Sequence, residues 1–189
     1  MQDVEVVRTE VNEILHEFLG NWRAIPYRWL AEIDVQVELV KLLNSRLNRR
    51  NSQYITAPII GGIHGSDHPE TFSRVTCGPY VRFDEPVKGG LYCKPDIVLW
   101  DDADAVPEGK RALNSGVWPV VAAIEIKYTY GTPVDDWDFK KLSALVEQRR
   151  ARLGFIINLN LTHEAIGNGI HEDNILGPNL MIYDVSLVG

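Results

Sequence analysis

The run VVAAIEIKYTY, from Val120 to Tyr130, constrains the fold more than any other segment of this sequence. Its β-branched and other apolar residues are typical of a strand that is covered on both faces. Glu125 and Lys127 interrupt the run two positions apart, so their side chains leave the same face of the strand. A buried carboxylate loses hydration that a partner must replace. We therefore expect a central strand that carries charge into the interior.

A second apolar run carries an acid at its start. In KPDIVLW, from Lys94 to Trp100, Asp96 directly follows a proline and precedes four apolar residues. Two inward carboxylates repel each other unless a cation lies between them, and oxygen ligands of this kind suit Mg²⁺. The pattern predicts a metal site at Asp96 and Glu125. In the alternative interpretation, Asp96 is a turn residue paired with Lys94, while Glu125 and Lys127 form a pair on an exposed strand.

Apolar periodicity predicts three helices. The first runs from Val4 to Leu19 and ends at Gly20, the second runs from Ile33 to Leu47, and the third begins near Asp135 or Asp136 and extends to Leu153. Strands are expected in YITAPIIGG, PYVRFDEPV, LYCKPDIVLWD, VVAAIEIKYTY, GFIINLNL and NLMIYDVSLV, with polar loops in IHGSDHPETFSR and after Asp101. This order indicates a mixed α/β fold with a central sheet flanked by helices.

Composition narrows the class of protein. A chain of 189 residues with 45% hydrophobic and 24% charged residues fits one soluble domain, residues 1–189, with an N-terminal helical segment at about 1–31. Cys77 and Cys93 lack the spacing of a metal or secreted-domain motif, so we expect a reducing cytoplasm. Nothing near Met1 resembles a leader, and no apolar run reaches the roughly 18 residues of a membrane span.

Charge distribution leaves nucleic-acid binding open. A net charge of −7 disfavours nonspecific coating of nucleic acid. Two basic clusters stand against this average, and they are either phosphate contacts or solvated helix ends that complement the helix dipole. Their members are Arg46, Arg49 and Arg50 in the first cluster, and Arg149, Arg150 and Arg152 in the second.

Other site types lack support in the sequence. His64 and His68, with three residues between them, have the spacing of two ligands of one zinc ion. No Cys pair or second His pair accompanies them, so we do not expect zinc. Gly61 and Gly62 fit neither a phosphate-binding loop nor a dinucleotide fingerprint, so no nucleotide cofactor is expected. No serine or cysteine lies in a nucleophile-elbow sequence.

Taken together, the two acidic runs resemble the motif of the PD-(D/E)xK nuclease superfamily, which has the restriction-endonuclease-like fold. Pro95–Asp96 and Glu125–Lys127 match the motif with 28 residues between the two acids, and the order of elements agrees from about Glu32 to Leu159. The resemblance implies that Asp96 and Glu125 bind a catalytic Mg²⁺, which Mn²⁺ would replace, with the backbone carbonyl of Ile126 as a further ligand. It also implies that Lys127 orients the attacking water and helps to deprotonate it.

The resemblance also suggests supporting residues. Glu38 is expected as the helix glutamate that completes the site, with Glu32 as the second choice. Gln148 and, less so, Lys141 are candidates for contact with the substrate, the alternative being an exposed polar flank of the helix. Arg149 and Arg150, from the second basic cluster, are further candidates for phosphate contact.

Three functions are consistent with these features. The first is a Mg²⁺-dependent DNA endonuclease, which a homodimer would suit because a duplex has two strands to cut. The second is a noncatalytic binding or assembly module with the same fold, and the third is a hydrolase of RNA or nucleotides that uses the same site. The helix from Val4 to Leu19 is either the dimer surface or packed on the protein's own sheet.

Overall fold

The computed structural model describes residues 3–25, 31–47, 54–58, 69–101, 116, 118–129, 136–160, 170–173 and 179–186. The helices in these ranges are α1 (Val4–Ala24), α2 (Glu32–Leu47) and α3 (Asp136–Glu147). The strands are β1 (Tyr54–Pro58), β2 (Pro69–Ser73), β3 (Val75–Cys77), β4 (Val81–Val87), β5 (Gly90–Cys93), β6 (Ile97–Trp100), β7 (Val120–Thr129), β8 (Ala151–Asn160), β9 (Ile170–Asp173) and β10 (Leu180–Ser186). The predicted α/β class is confirmed.

A mixed sheet organises the described chain. Its strand order is β3-β6-β7-β8-β10-β9, while β1-β2 and β4-β5 form separate two-stranded antiparallel pairs. The three central strands β7, β8 and β10 are parallel to one another. Both edges are antiparallel, because β6 pairs with β7 and β3, and β9 pairs with β10. The central strands are the most apolar segments of the sequence, as expected for a sheet covered on both faces.

Helices α1 and α2 cover one face of this sheet. Their buried residues form one core with alternate residues of the central strands, including Ile124, Ile126 and Phe155. Asp3 caps α1, since its side chain accepts a hydrogen bond from the backbone N–H of Glu5. The α1 residues expected as a dimer surface are therefore packed inside the protein's own core, with Val7, Val11, Ile14, Leu15, Phe18 and Leu19 all buried.

The end of α1 differs from the sequence prediction. The helix does not end at Gly20 but continues to Ala24, and Trp22 in this extra turn is fully buried. Glycine weakens a helix without forbidding it. Burial of the indole ring favours the helical path strongly enough to outweigh that cost.

Helix α3 and the β4-β5 hairpin cover the other face. Leu142 and Leu145 of α3 join Val81 and Phe83 of β4 in a second core that includes Trp100. The predicted extension of α3 to Leu153 is wrong, because the helix ends at Glu147 and Leu153 lies in β8. A reversal at Gln148–Arg150 intervenes, and there Arg149 has a φ of 56°.

Two other strand predictions also require correction. LYCKPDIVLWD is not one strand, because β5 ends at Cys93, β6 begins at Ile97, and the two belong to different sheets. The chain changes sheets at Pro95 and Asp96, where proline removes a backbone donor. The supposed loop IHGSDHPETFSR contains β2, and β9 lies in a segment that periodicity did not assign to a strand.

Several predictions fall on residues that the structure does not describe. These are His64, His68, the glycines at 61 and 62, Arg49, Arg50, most of the loop after Asp101, and Asp135 together with the side chain of Asp136. Within the described parts of the chain, no helix has the length and apolar character needed to cross a membrane.

Two glycines provide a matched test of this fold. At Gly116, φ is +65°, and an added Cβ would lie 2.8 Å from the backbone nitrogen of Arg82, so Gly116→Ala should lower the free energy of unfolding by about 1–3 kcal/mol. At Gly20, inside α1, nothing lies within 4 Å of an added Cβ, so Gly20→Ala should raise it by about 0.5–1 kcal/mol. Urea denaturation measures both, and destabilisation by Gly20→Ala would contradict the extended helix.

Candidate metal centre

A notch in the sheet borders the acidic strand. Strand β6 begins at Ile97, opposite Ile124 of β7, and β3 ends level with it at Cys77. Strands β7 and β8 continue side by side to Thr129 and Asn160. The edge of β7 from residue 125 onward therefore has no β6 residue beside it. Glu125, Ile126 and Lys127 lie along this notch, between α2 on one face of the sheet and α3 on the other.

Asp96 is held at the mouth of the notch by three hydrogen bonds. Its Oδ2 accepts from the backbone N–H of Ile126 at 2.7 Å, and its Oδ1 accepts from Nε2 of Gln36 at 2.9 Å. Its backbone carbonyl accepts from the N–H of Gly78 at 2.8 Å. Extending the β6-β7 register by one residue brings Asp96 opposite Glu125, where neighbouring side chains come close. The Asp96 carboxylate is thus a fixed neighbour of Glu125, and not a turn residue that pairs with Lys94.

Four charged side chains, beginning with Glu125, alternate in sign. Glu125 is only 2% exposed, and its Oε1 contacts Nζ of Lys141. The same Nζ lies 3.0 Å from Oδ1 of Asp138, whose Oδ2 lies 2.7 Å from Nζ of Lys127. Asp138 therefore bridges the two lysines. The burial of Glu125 rules out the alternative in which Glu125 and Lys127 are an exposed pair on the surface of a strand.

Helix α3 brings Asp138 and Lys141 to the site. These residues lie three apart, on the same stripe as the buried Leu142 and Leu145, so the helix directs charged and apolar side chains toward the sheet together. Sequence reasoning did not single out Asp138. The available signal was an acid and a lysine at positions of the helix that periodicity assigns to the core.

Burial and repulsion by Asp96 disfavour the ionised form of Glu125. Burial and the neighbouring Asp96 raise the pKa of Glu125 from 4.5 to about 8, although the Lys141 ammonium acts in the opposite direction. Near neutral pH, in the absence of a further cation, this carboxyl group is partly protonated. The site favours an additional positive charge.

The two lysines remain ammonium groups. Burial alone would lower the pKa of Lys127, but Asp138, Glu32 and Glu125 outweigh burial and raise it. Burial likewise opposes a rise in the pKa of Lys141, which Glu125 and Asp138 produce. The two lysines in turn hold the pKa of Asp138 below its ordinary value despite burial. In this state Lys127 is a hydrogen-bond donor and not a proton acceptor.

The acid that α2 presents to the site is Glu32, the second choice from the sequence. Burial and the nearby Asp96 raise the pKa of Glu32, while Lys127 and a hydrogen bond from the backbone of Tyr128 lower it. Glu38 instead forms a 3.6 Å ion pair with Lys41. A helix turns 100° per residue, so Glu32 and Gln36 share a face, whereas Glu38 lies about 200° around the helix from Gln36. The first choice of Glu38 therefore does not match the geometry.

Gln148 forms hydrogen bonds with the β4-β5 hairpin and does not lie at the notch. Its Oε1 accepts from the backbone N–H groups of Asp84 and Glu85 at 2.8 and 3.0 Å, and its Nε2 donates to the carbonyl of Glu85 at 3.1 Å. The order of preference from the sequence is reversed, because Lys141 lies in the charged cluster and Gln148 does not. Gln148 fastens the end of α3 to β4.

The arginines of the second basic cluster lie at the opposite end of β7. Arg150 donates to the carbonyls of Arg82 and Gly116 at 2.9 and 3.1 Å, and its own carbonyl accepts from the N–H of Val120. Val120 precedes Glu125 by five residues, which is about 17 Å along a strand. Arg149 adjoins Arg150, so neither arginine reaches the notch as the substrate-contact prediction requires.

The remaining arginines of the two clusters have structural partners where they are described. Arg152 is ion-paired with the buried Asp101. Arg46 of the first cluster forms an ion pair with Glu17, which links α2 to α1. Arg46 lies in the last turn of α2, as the interpretation of solvated helix ends expects, whereas Arg152 lies in β8 and not at a helix end.

The donor set at the notch suits a hard divalent cation. Asp96 and Glu125 supply carboxylate oxygens, and Mg²⁺ prefers oxygen ligands. In a strand the N–H and C=O of one residue point to the same side, so the carbonyl of Ile126 faces the notch along with its N–H. Glu125 Oε1 is buried, and its described contact is the ion pair with Lys141. Among the described residues, no group of three or more His, Cys, Asp and Glu side chains converges on one point.

Comparisons with known proteins identify no relative. No family model matches the chain, and neither the curated proteins nor the solved structures include a match.

The raised pKa of Glu125 predicts how stability depends on pH. The folded protein binds this proton more tightly than the unfolded chain, so the stabilising contribution is complete below about pH 4.5 and is lost as pH rises through about 8. In EDTA, the free energy of unfolding of the wild type should fall over this range relative to that of Glu125→Gln. Urea denaturation at several pH values measures the difference, in which histidine titrations cancel. Parallel pH curves would show that Glu125 does not titrate in this range.

Proposed function

We propose that this protein is a Mg²⁺-dependent nuclease with the restriction-endonuclease-like fold, and that it cleaves phosphodiester bonds within DNA. One observation carries the proposal: Asp96 and Glu125 are neighbours across a notch in the sheet, with the Lys127 ammonium two residues farther along the same strand. Such a combination suits metal-assisted phosphodiester hydrolysis, because negative charge accumulates on the phosphate as the new bond forms.

The chain's own residues divide this work. Asp96 and Glu125, with the Ile126 carbonyl, would hold the divalent ion. When bound, such an ion supplies a nucleophilic water and neutralises phosphate charge. Lys127 is an ammonium, so it donates hydrogen bonds to the water or to a phosphate oxygen and does not accept the water's proton. Deprotonation of the water by Lys127, as the resemblance suggests, does not suit this state of the lysine.

Differences in exposure indicate how a substrate approaches. The Lys127 side chain is 25% exposed, and Glu32 is half-buried beside it, whereas Glu125, Asp138 and Lys141 are buried. A phosphodiester reaching the notch would meet Lys127 first. The buried charges of Glu125, Asp138 and Lys141 lie deeper in the site, where the exclusion of water strengthens their electrostatic interactions.

The second candidate is a noncatalytic binding or assembly module. The ion pair between Lys141 and Glu125 favours it, since an internal ammonium already contacts the carboxylate that a metal would need. The net charge of −7 also gives little general attraction to DNA. Metal-dependent cleavage separates the two functions.

A cleavage assay tests the nuclease. Wild type with Mg²⁺ or Mn²⁺ should nick or linearise supercoiled plasmid, and EDTA should stop the reaction. Asp96→Asn and Lys127→Met should each reduce the rate by at least about a hundredfold, since each removes charge stabilisation from the reacting centre. Asp84→Asn, at a side chain that is 64% exposed on β4, is the control that should retain the wild-type rate.

Parallel assays on single-stranded DNA and RNA establish the substrate class. Cleavage of RNA alone, with the same dependence on Asp96, would assign the site to the RNA-directed alternative. Absence of cleavage of every substrate with either metal would support the noncatalytic module.

A pair of variants on α2 identifies the supporting acid. Glu32→Gln should lower the cleavage rate roughly tenfold or more, because it removes a charge that interacts with Asp96 and Lys127. Glu38→Gln makes the same chemical change on the other side of the helix and should leave the rate within about twofold of wild type. The reverse pattern would mean that Glu38 is the supporting acid after all.

A further inference from the structure

Lys141 is a lysine in an unusual environment. It is 6% exposed, and its ammonium lies between Glu125 and Asp138, which are themselves 2% and 6% exposed. A buried ammonium is stable only where carboxylates replace its hydration. Each carboxylate also has a second charged neighbour. Asp138 pairs with Lys127, and Glu125 lies next to Asp96.

The position of the ammonium matters for a metal site. Glu125 Oε1 is buried, and Lys141 Nζ is in ion-pair contact with it. A divalent ion that uses Glu125 as a ligand needs the same oxygen or its immediate surroundings. The ammonium and a divalent ion at this carboxylate would repel each other across a short, poorly solvated distance.

We propose that Lys141 is an internal cation that holds the metal position at Glu125, and that a divalent ion binds there by displacing the Lys141 ammonium. This inference rests on the proposed function, since it concerns the same metal centre. Displacement leaves the lysine with a partner, because Asp138 lies 3.0 Å from the same ammonium and belongs to the same helix. The ammonium gives up its contact with Glu125 and keeps its contact with Asp138.

The exchange distinguishes Lys141 from Lys127. Lys127 pairs with the other oxygen of Asp138, whereas the Lys141 ammonium contacts Glu125 itself. Lys141 is therefore a positioning residue. It keeps the carboxylates compatible in the metal-free protein and yields to the metal.

Isothermal titration of the full chain with Mn²⁺, without nucleic acid, tests the proposal. Lys141→Met removes the competing ammonium while keeping a side chain of similar length, and it should bind Mn²⁺ at least tenfold more tightly than wild type. Lys141→Arg keeps the charge, and its planar guanidinium binds a carboxylate through two hydrogen bonds. A metal ion displaces it less readily, so this variant should bind Mn²⁺ at least tenfold more weakly. Lys140→Met, at the exposed neighbouring position, is the matched control and should bind as wild type does.

The outcomes separate this proposal from the nuclease itself. If wild type binds Mn²⁺ through Asp96 but Lys141→Met binds no more tightly, displacement is wrong and the metal centre stands. If only Lys141→Met binds, the ammonium blocks the metal position and is not displaced, so displacement and metal-dependent activity of the wild type both fail. Absence of binding by every protein overturns both.

Lys141→Met leaves Glu125 without its positive partner, which destabilises the fold. Circular dichroism shows whether this variant still folds. If it does not fold, Lys141→Arg decides the matter: weaker Mn²⁺ binding supports displacement, and unchanged binding overturns it.

Discussion

The buried carboxylate of Glu125 is the constraint on which the rest of the site depends. It lies in the central strand of a covered sheet and opposite a second acid, Asp96, so it cannot be fully ionised without nearby positive charge. Lys141 provides some of that charge, and Asp138 in turn holds Lys141 and Lys127. Removing any member changes the charge balance of its neighbours. These side chains therefore behave as one unit, and their contributions will not be additive.

The architecture explains how such a cluster forms in an otherwise apolar core. Strands β3 and β6 stop where β7 and β8 continue, so the sheet is interrupted where the acids meet. Helix α2 reaches the interruption from one face with Gln36 and Glu32, and α3 reaches it from the other with Asp138 and Lys141. Buried leucines on both helices fix their positions against the sheet, so core packing on each face sets the geometry of the charges.

The sequence predicted the strand residues of the site better than the helix residues. Asp96, Glu125 and Lys127 were recognisable because a charge inside an apolar strand is costly and the period of two assigns its face. The helix acid was harder to assign, since Glu32 and Glu38 both occur in a plausible turn and only the docking angle of α2 distinguishes them. Asp138 was missed because charged residues on helices are commonplace. The predicted end of α1 at Gly20 was wrong because the burial of Trp22 depends on tertiary packing, which local propensity does not include.

Anomalous diffraction from crystals of the protein soaked in Mn²⁺ would test most directly whether the notch is a metal centre. We expect one Mn²⁺ bound by the carboxylates of Asp96 and Glu125 and by the carbonyl of Ile126, with the Lys141 ammonium turned away from Glu125 toward Asp138. No anomalous density at the notch, with Lys141 still against Glu125, would contradict the account. The cluster would then be a buried ionic network that specifies the fold and performs no metal chemistry.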